Sequence, residues 1–347
     1  MAIIDKPSDY FNTKLYTGNG STQSITGVGF QPYFTWIKSR NDTNSHFLFD
    51  AVRGATKLIN SNSNNAESTQ ADTLTSFDSD GFSLGDGTGV NGNSDTEASW
   101  NWLAGTAVSG STTGSGTTKT YTGSVNTTSG FSIIKFIGNG TAGHTIPHHL
   151  GAVPKMIIVK VLNAVADPLV YQYKNTTEPQ TEFLRLNSTN ATQDEATIWN
   201  DTAPTSSVFS LGTEASVNEN GKNLIAYCFA DVQGYSKFGS YTGNGNVDGP
   251  FFYTGFKPAF VMIKASSRTG DWVMYDNKRS VFNIVTKRLN ANLNSAEDTD
   301  NFLDFCSNGI KIRNTYGSHN TSGETYIYMA FAENPFVTST AIPATAR

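Results

Sequence analysis

The chain predicts an all-β protein built from three tandem antiparallel β-sandwich repeats, jelly-roll-like, with little helix. Two observations carry that expectation. One phrase recurs three times: a Gly-Asn-Gly turn, then a proline, then a lysine six residues beyond the proline. It reads Gly18-Asn19-Gly20, Pro32, Lys38, then Gly138-Asn139-Gly140, Pro154, Lys160, and finally Gly243-Asn244-Gly245, Pro258, Lys264. Internal recurrence of this kind marks one structural unit used repeatedly. The second observation is compositional. Only 15% of residues are charged and 12% are aromatic. Gly, Ser, Thr and Asn fill the intervening stretches, as expected of many short strands joined by polar loops.

Taken in order, an N-terminal arm (1–15) precedes the first repeat (16–105). In that repeat Gln23–Thr26 reads as a short strand, and Tyr33–Lys38, aromatic and β-rich, as a buried one. His46–Asp50 gives another, and Asp80-Gly81 sets a turn between Phe77 and Phe82, a hairpin signal. Ala98–Trp102 closes the repeat. The connector 106–129 has the Ser, Thr and Gly of a flexible linker, although Thr118–Thr122 alternates as an added strand would. The middle repeat (130–231) is the divergent one. It keeps a strand at Lys155–Lys160 and a closing strand at Leu224–Asp231, but carries Tyr171-Gln172-Tyr173-Lys174 where its relatives have Asp-x-x-Arg. The third repeat (232–337) follows through Val232–Gly239 without slack and reproduces the first, from Ala259–Lys264 to Tyr326–Phe331. A C-terminal tail (338–347) ends the chain. Helix is confined to a turn or two at Glu67–Leu74 and Lys287–Leu293.

The balance of charge narrows the function classes. A formal net charge of −5 with no basic run argues against nucleic acid as a partner. No apolar run approaches the roughly 20 residues of a membrane span, so no membrane insertion is expected. Met1–Pro7 lacks the basic and apolar regions of a secretory signal. Cys228 and Cys306 fall at non-equivalent places in the repeats and read as free thiols of a reducing compartment, with a disulfide between them as the alternative. No nucleophile elbow, zinc-protease helix, phosphate loop or dinucleotide fingerprint occurs, so no enzyme is expected.

The candidate ligand-binding residues are Asp50, Arg53, Asp276, Arg279, Trp199 and Trp272. Each Asp/Arg pair follows a buried strand and suits a loop clamp or a set of hydrogen bonds to sugar hydroxyls. Trp199 and Trp272 flank polar loops and could stack on a sugar, whereas Trp36, Trp100 and Trp102 lie in strands and read as core. His144, His148 and His149 form the densest imidazole cluster, without the carboxylate or cysteine that would complete a zinc set. Asp78, Asp80, Asp86, Asp95 and Glu97 offer oxygen ligands for calcium, without the spacing of an EF-hand loop. No cofactor is expected; calcium is the one ion kept as a candidate.

Several phrases resemble a family of virion proteins of tailed bacteriophages, especially marine ones. They include Tyr16–Gln23, Phe30-Gln31-Pro32, Trp36-Ile37-Lys38, Phe49–Gly54, Ser79–Phe82, Tyr235–Gly245 and Tyr326–Glu333. His148–Lys155 is similar to the His-Gly-Leu-Gly-x-x-Pro-Lys phrase of phage tail-fibre-like proteins, with His149 where glycine is usual. The resemblance implies a concanavalin-like β-sandwich repeat on the virion surface, assembled in the host cytoplasm. It implies a tail-fibre or adhesin component contacting host surface carbohydrate. The alternatives are a capsid decoration or head-fibre protein that binds no sugar and, third, a polysaccharide depolymerase. Expected partners are other virion structural proteins, further copies of the chain in a homotrimer, and host glycans. The arm and the tail are the segments expected to touch neighbouring subunits.

Overall fold

Phe34–Ser39 is buried at every position, and so are Met156–Val161 and six of the seven residues of Asn223–Phe229. A strand buried on both parities is covered on both faces. That is the organising fact of this fold. The computed structural model describes residues 3–343 and is all-β, with single-turn α-helices and one 3-10 turn among the described residues.

Three stretches build their main sheet in the same antiparallel order. In the first the order is Phe11–Thr17, Thr96–Trp102, Phe34–Ser39, Phe47–Asp50. In the middle it is Phe131–Ile137, Asn223–Phe229, Met156–Val161, Leu169–Gln172. In the third it is Ser236–Thr242, Thr325–Pro335, Phe256–Ala265, Trp272–Asp276. Each stretch adds a smaller layer: Gln23–Thr26 with Gly81–Leu84, His144–Pro147 with Val208–Leu211, and Phe251–Tyr253 with Gly309–Ile312.

Successive side chains of a strand point to opposite faces, and the cores divide accordingly. Ile37 and Phe49 pack outward against Ile25, Phe82 and Leu84 of the small layer. Phe34 and Trp36 face the other way, into a core shared by all three stretches with Tyr227, Phe229, Phe260 and Phe331. Ring pairs cross the boundaries: Phe34 to Tyr227 at 4.5 Å, Phe11 to Phe331 at 5.0 Å and Trp102 to Phe331 at 5.6 Å. These lie within the distances at which aromatic pairs attract beyond simple burial. The three sheets therefore enclose one aromatic centre.

The Gly-Asn-Gly turns have a common job. Each docks on a one-turn helix (Thr88–Asn91, Ala215–Asn218 or Gly317–Asn320) whose last residue is a buried asparagine. Asn91 Oδ1 accepts the Asn19 amide at 3.0 Å, Asn218 the Asn139 amide at 3.0 Å, and Asn320 the Asn244 amide at 2.9 Å. The opposite end of each amide donates to a carbonyl at 2.7 Å, namely Gly85, Gly212 and Asn314. A Cβ on Gly18, Gly138 or Gly243 would lie 2.1, 2.4 or 2.2 Å from a carbonyl oxygen next to that helix. The first glycine is thus set by close backbone approach, and the last by a φ of +65°, +71° or +65°.

Three expectations change. The first strand begins at Phe11, inside the segment expected to be an arm, and Ile4 joins the shared core. The expected connector is not a flexible linker: Thr106–Ser111 and Thr120–Asn126 form a hairpin on the edge of the middle sheet. Lys287–Leu293 is not helical, because Val285–Asn290 is a strand paired with Trp272–Asp276, and Glu67–Leu74 contributes strand residues at Ser68–Thr69 and Leu74. The tail meets the N-terminus where Asp5 accepts the Ser339 amide at 2.7 Å. Residues 1–2 and 344–347 of the expected arm and tail lie outside the described residues.

Candidate functional site

Asp50 and Asp276 end equivalent strands, opposite Phe34 and Phe260 in register. Each carboxylate accepts the backbone amide of the arginine three residues on, at 2.8 Å, and the Nε of the same guanidinium. Arg53 then donates to Glu67 at 3.2 Å and to the Leu48 carbonyl at 2.9 Å. Arg279 repeats this with Glu297 at 3.3 Å and Met274 at 2.9 Å. The remaining capacity of each carboxylate is taken by a neighbouring stretch: Tyr227 Oη donates to Asp50 at 2.7 Å, and Trp100 Nε1 to Asp276 at 3.1 Å. Such charge-assisted bonds between buried groups are the strong ones.

The contacts run in a ring. The Glu67 amide donates to Leu162 at 2.7 Å, the Thr192 amide to Ser266 at 2.9 Å, and the Glu297 amide to Arg40 at 2.7 Å. The first stretch thereby holds the middle, the middle the third, and the third the first. The three recurring lysines lie at the same joints and are buried. Lys160 Nζ reaches the Asn64 carbonyl at 3.3 Å and Lys264 Nζ the Thr189 carbonyl at 3.2 Å, each in the preceding stretch, whereas Lys38 caps its own Asp42 carbonyl at 2.9 Å. Burial pushes Lys264 down to about 7 and Lys38 and Lys160 to about 8.

At the middle-to-third joint the clamp is rebuilt from short neutral side chains. Gln172 stands opposite Met156, in the register position of Asp50 and Asp276. Asn175 therefore occupies the place of the arginines and Thr192 that of Glu67 and Glu297. Gln172 Nε2 donates to the Gly239 carbonyl at 3.2 Å, and Thr192 Oγ1 to Asn175 Oδ1 at 2.6 Å. Beside this joint lies a groove of about 850 Å³ lined by polar side chains of the middle and third stretches, Asn175 and Thr192 among them.

The six sequence-derived candidates are all interior. Asp50, Arg53, Asp276 and Arg279 form the two clamps just described. Trp199 and Trp272, read from the sequence as more open to a ligand than the strand tryptophans, are both only 2% exposed. Their indole N–H groups donate to the Glu182 carbonyl at 3.0 Å and the Arg185 carbonyl at 2.9 Å. None of the six offers a stacking face or free polar edge to a sugar, because each is spent on a joint or a core. Sequence reasoning missed the second partners, Glu67 and Glu297, although their matching context Ala66-Glu67 and Ala296-Glu297 marks them. It also missed Asn91, Asn218 and Asn320, whose signal is a constant eleven residues before Trp102, Phe229 and Phe331.

The other clusters disperse. His144 Nδ1 pairs with Asn218 Oδ1 at 2.8 Å, His148 Nε2 meets the Thr205 carbonyl at 3.2 Å, and His149 Nε2 meets Tyr121 Oη at 2.7 Å, so the imidazoles face three partners. Burial pushes His148 down to about 4. Asp80 is a loop brace for the Gly27 and Gly29 amides, and Asp78 binds Ser76 and Ser83 at 2.7 Å. Glu97 is buried with both carboxylate oxygens unpartnered, and burial pushes it up to about 8. Among the described residues no three His, Cys, Asp or Glu side chains converge as a metal set. Cys228 and Cys306 are free thiols.

No curated protein matches the chain. A family model described as a domain of unknown function (DUF7483) matches residues 6–335, from the first turn of the described fold to the end of its last long strand. On that match over nearly its whole length, the chain belongs to the DUF7483 family.

Proposed function

We propose that this chain is a structural protein of a bacteriophage virion surface, a tail-fibre or adhesin component whose outer loops meet host carbohydrate. We also read its three stretches as tandem copies of one jelly-roll-like β-sandwich module. The observation that carries the reading is the ring of joints. The polar residues the stretches share, from the clamp carboxylates to the lysines, are consumed in locking three sheets around one aromatic core. A body built this way suits presentation of surface loops rather than chemistry in a cleft. The resemblance of Tyr16–Gln23 and Phe49–Gly54 to phrases of phage virion proteins and the low charged fraction of the chain, 15%, support the same reading.

A capsid decoration or head-fibre role is the second reading. It draws on large apolar side chains exposed on the third stretch, with Phe251 47%, Tyr253 57% and Phe282 76% exposed. Phe251 and Tyr253 stand two residues apart on one strand and so share a face, and contiguous apolar exposure marks contact surfaces for other proteins. Immunogold labelling of intact particles separates the two. Label at the tail tip is the expected outcome; label over the head would replace the first reading by the second, and unlabelled particles would remove both.

A further inference from the structure

We infer that the groove between the middle and third stretches is a saccharide-binding site, opened by loss of the charged clamp at that joint. The inference rests on the carbohydrate-contact part of the proposed function and gives it a location.

The argument begins with size. At the other two joints an aspartate, an arginine and a glutamate fill the space. Here Gln172, Asn175 and Thr192 stand in the same places, and the arginine-to-asparagine and glutamate-to-threonine exchanges both shorten the side chain. The groove of about 850 Å³ lies beside the lost clamp, within the range of roughly 300–1,000 Å³ usual for small-ligand sites.

The lining is the second step. Thr176, Ser240, Ser267 and Thr325 bring hydroxyls, and Tyr173 brings a half-buried ring. One cation, Lys174, and one carboxylate, Glu182, leave the lining without net charge. That favours a neutral, many-hydroxyl ligand over a phosphate or a basic peptide.

The third step is the unmet hydrogen bonding. Asn175 is 2% exposed. Its Oδ1 is fixed by the Thr192 hydroxyl, so the amide NH₂ is the end left over, and that Nδ2 has no partner. The Glu182 carboxyl in the same groove meets the Thr176 hydroxyl, while its Oε2 is buried and unpartnered. An unpaired buried donor or acceptor costs roughly 1–3 kcal/mol. Asn175 and Glu182, both lining this groove, thus hold one unmet donor and one unmet acceptor, the two kinds of partner that a sugar hydroxyl can satisfy. Burial also holds the Glu182 carboxyl above its ordinary range.

The test uses the full chain on an array of neutral and N-acetylated oligosaccharides, followed by titration of any hit. Two variants are compared with the parent. Asn175→Arg combined with Thr192→Glu restores the arginine and glutamate of the other joints, with Gln172 kept, and puts longer side chains into the groove. Thr177→Trp blocks it from an exposed lining position and keeps the test valid if the first variant folds poorly. The expected result is at least one bound saccharide whose Kd rises tenfold or more in Thr177→Trp at unchanged Tm. Binding that survives both folded variants would overturn this site while leaving carbohydrate contact elsewhere intact. An array without hits would overturn the site and the adhesin reading together, and virion incorporation, scored separately by gold labelling, would stand or fall on its own.

Discussion

The joint between the first and middle stretches and the joint between the middle and third use the same backbone bond but opposite chemistry. Glu67 and Thr192 both donate their amides across, to Leu162 and Ser266. Around the first bond sits a buried Asp50–Arg53–Glu67 chain capped by Tyr227; around the second sit only Gln172, Asn175 and Thr192. The partner side explains part of the difference. Tyr227 and Trp100 stand on equivalent closing strands, each two residues before the aromatic that faces the shared core, and the same place in the third stretch is Met329. A thioether cannot donate a hydrogen bond to a carboxylate, and an aspartate facing it would be buried one partner short. Gln172, being neutral and longer, turns to the Gly239 carbonyl instead. The backbone bond thus joins the stretches, and the side-chain clamp is a further layer that one joint does without.

The largest expected effect follows from that contrast. Asp276→Ala leaves Arg279 buried against Trp100 with Glu297 as its one remaining carboxylate partner and the Trp100 N–H open. Removing one member of a buried ion pair costs about 3–5 kcal/mol. Gln172→Ala loses two neutral bonds, one to the Gly239 carbonyl and one from the Lys174 amide, about 2 kcal/mol together. Urea unfolding of the two variants should show a roughly twofold difference in ΔΔG, and equal losses would mean that the clamp is no stronger than its neutral replacement.

A smaller effect sharpens the comparison by asking what does not differ between stretches. The buried asparagines receiving the Gly-Asn-Gly turns make the same two key bonds in all three. Asn91→Ala, Asn218→Ala and Asn320→Ala should each cost about 2 kcal/mol, the scale of leaving buried backbone groups unpaired. Hydrogen exchange at the Asn19, Asn139 and Asn244 amides would locate the loss. A silent variant in one stretch would show that its turn is held by something other than the asparagine.

Much of this was legible in the chain, and the boundary is physical. Strand positions such as Tyr33–Lys38 and Ala259–Lys264 announce themselves through aromatic and β-branched runs, and the Asp80-Gly81 hairpin through its turn residues. The recurring lysines and Asp-x-x-Arg pairs are visible as spacing, but spacing does not say which face of a strand meets which neighbour. Trp199 and Trp272 adjoin polar loops in the sequence, but Trp199 ends a one-turn helix packed on Tyr171 and Trp272 opens a strand of the shared core, so tertiary packing buries both. The groove beside Asn175 is invisible for a related reason: it is made by what the middle stretch lacks relative to its neighbours, and only the joint gives that lack a shape.

The smallest effect concerns the lysines at these same joints, and its sign can be worked out. Lys264 is held near 7 by burial, against about 10.4 for an unfolded lysine. Between those values the unfolded chain binds more protons than the folded one, so this group's contribution to stability rises with pH from about 7 upward. The neutral amine still donates to the Ala265 and Thr189 carbonyls. Lys264→Met lacks that titration, so the parent should gain on the variant by about 1–2 kcal/mol between pH 7 and pH 9, since one pH unit is worth up to about 1.4 kcal/mol. Lys160, held at about 8 and reaching back to Asn64, should begin its gain one unit later. Urea midpoints of both Met variants at pH 7, 8 and 9 read the two onsets separately. A parent-minus-variant difference that stays flat over that range would mean that the ammonium remains charged in the fold, and the lysines would then be ion-like caps on the carbonyls rather than neutral ones.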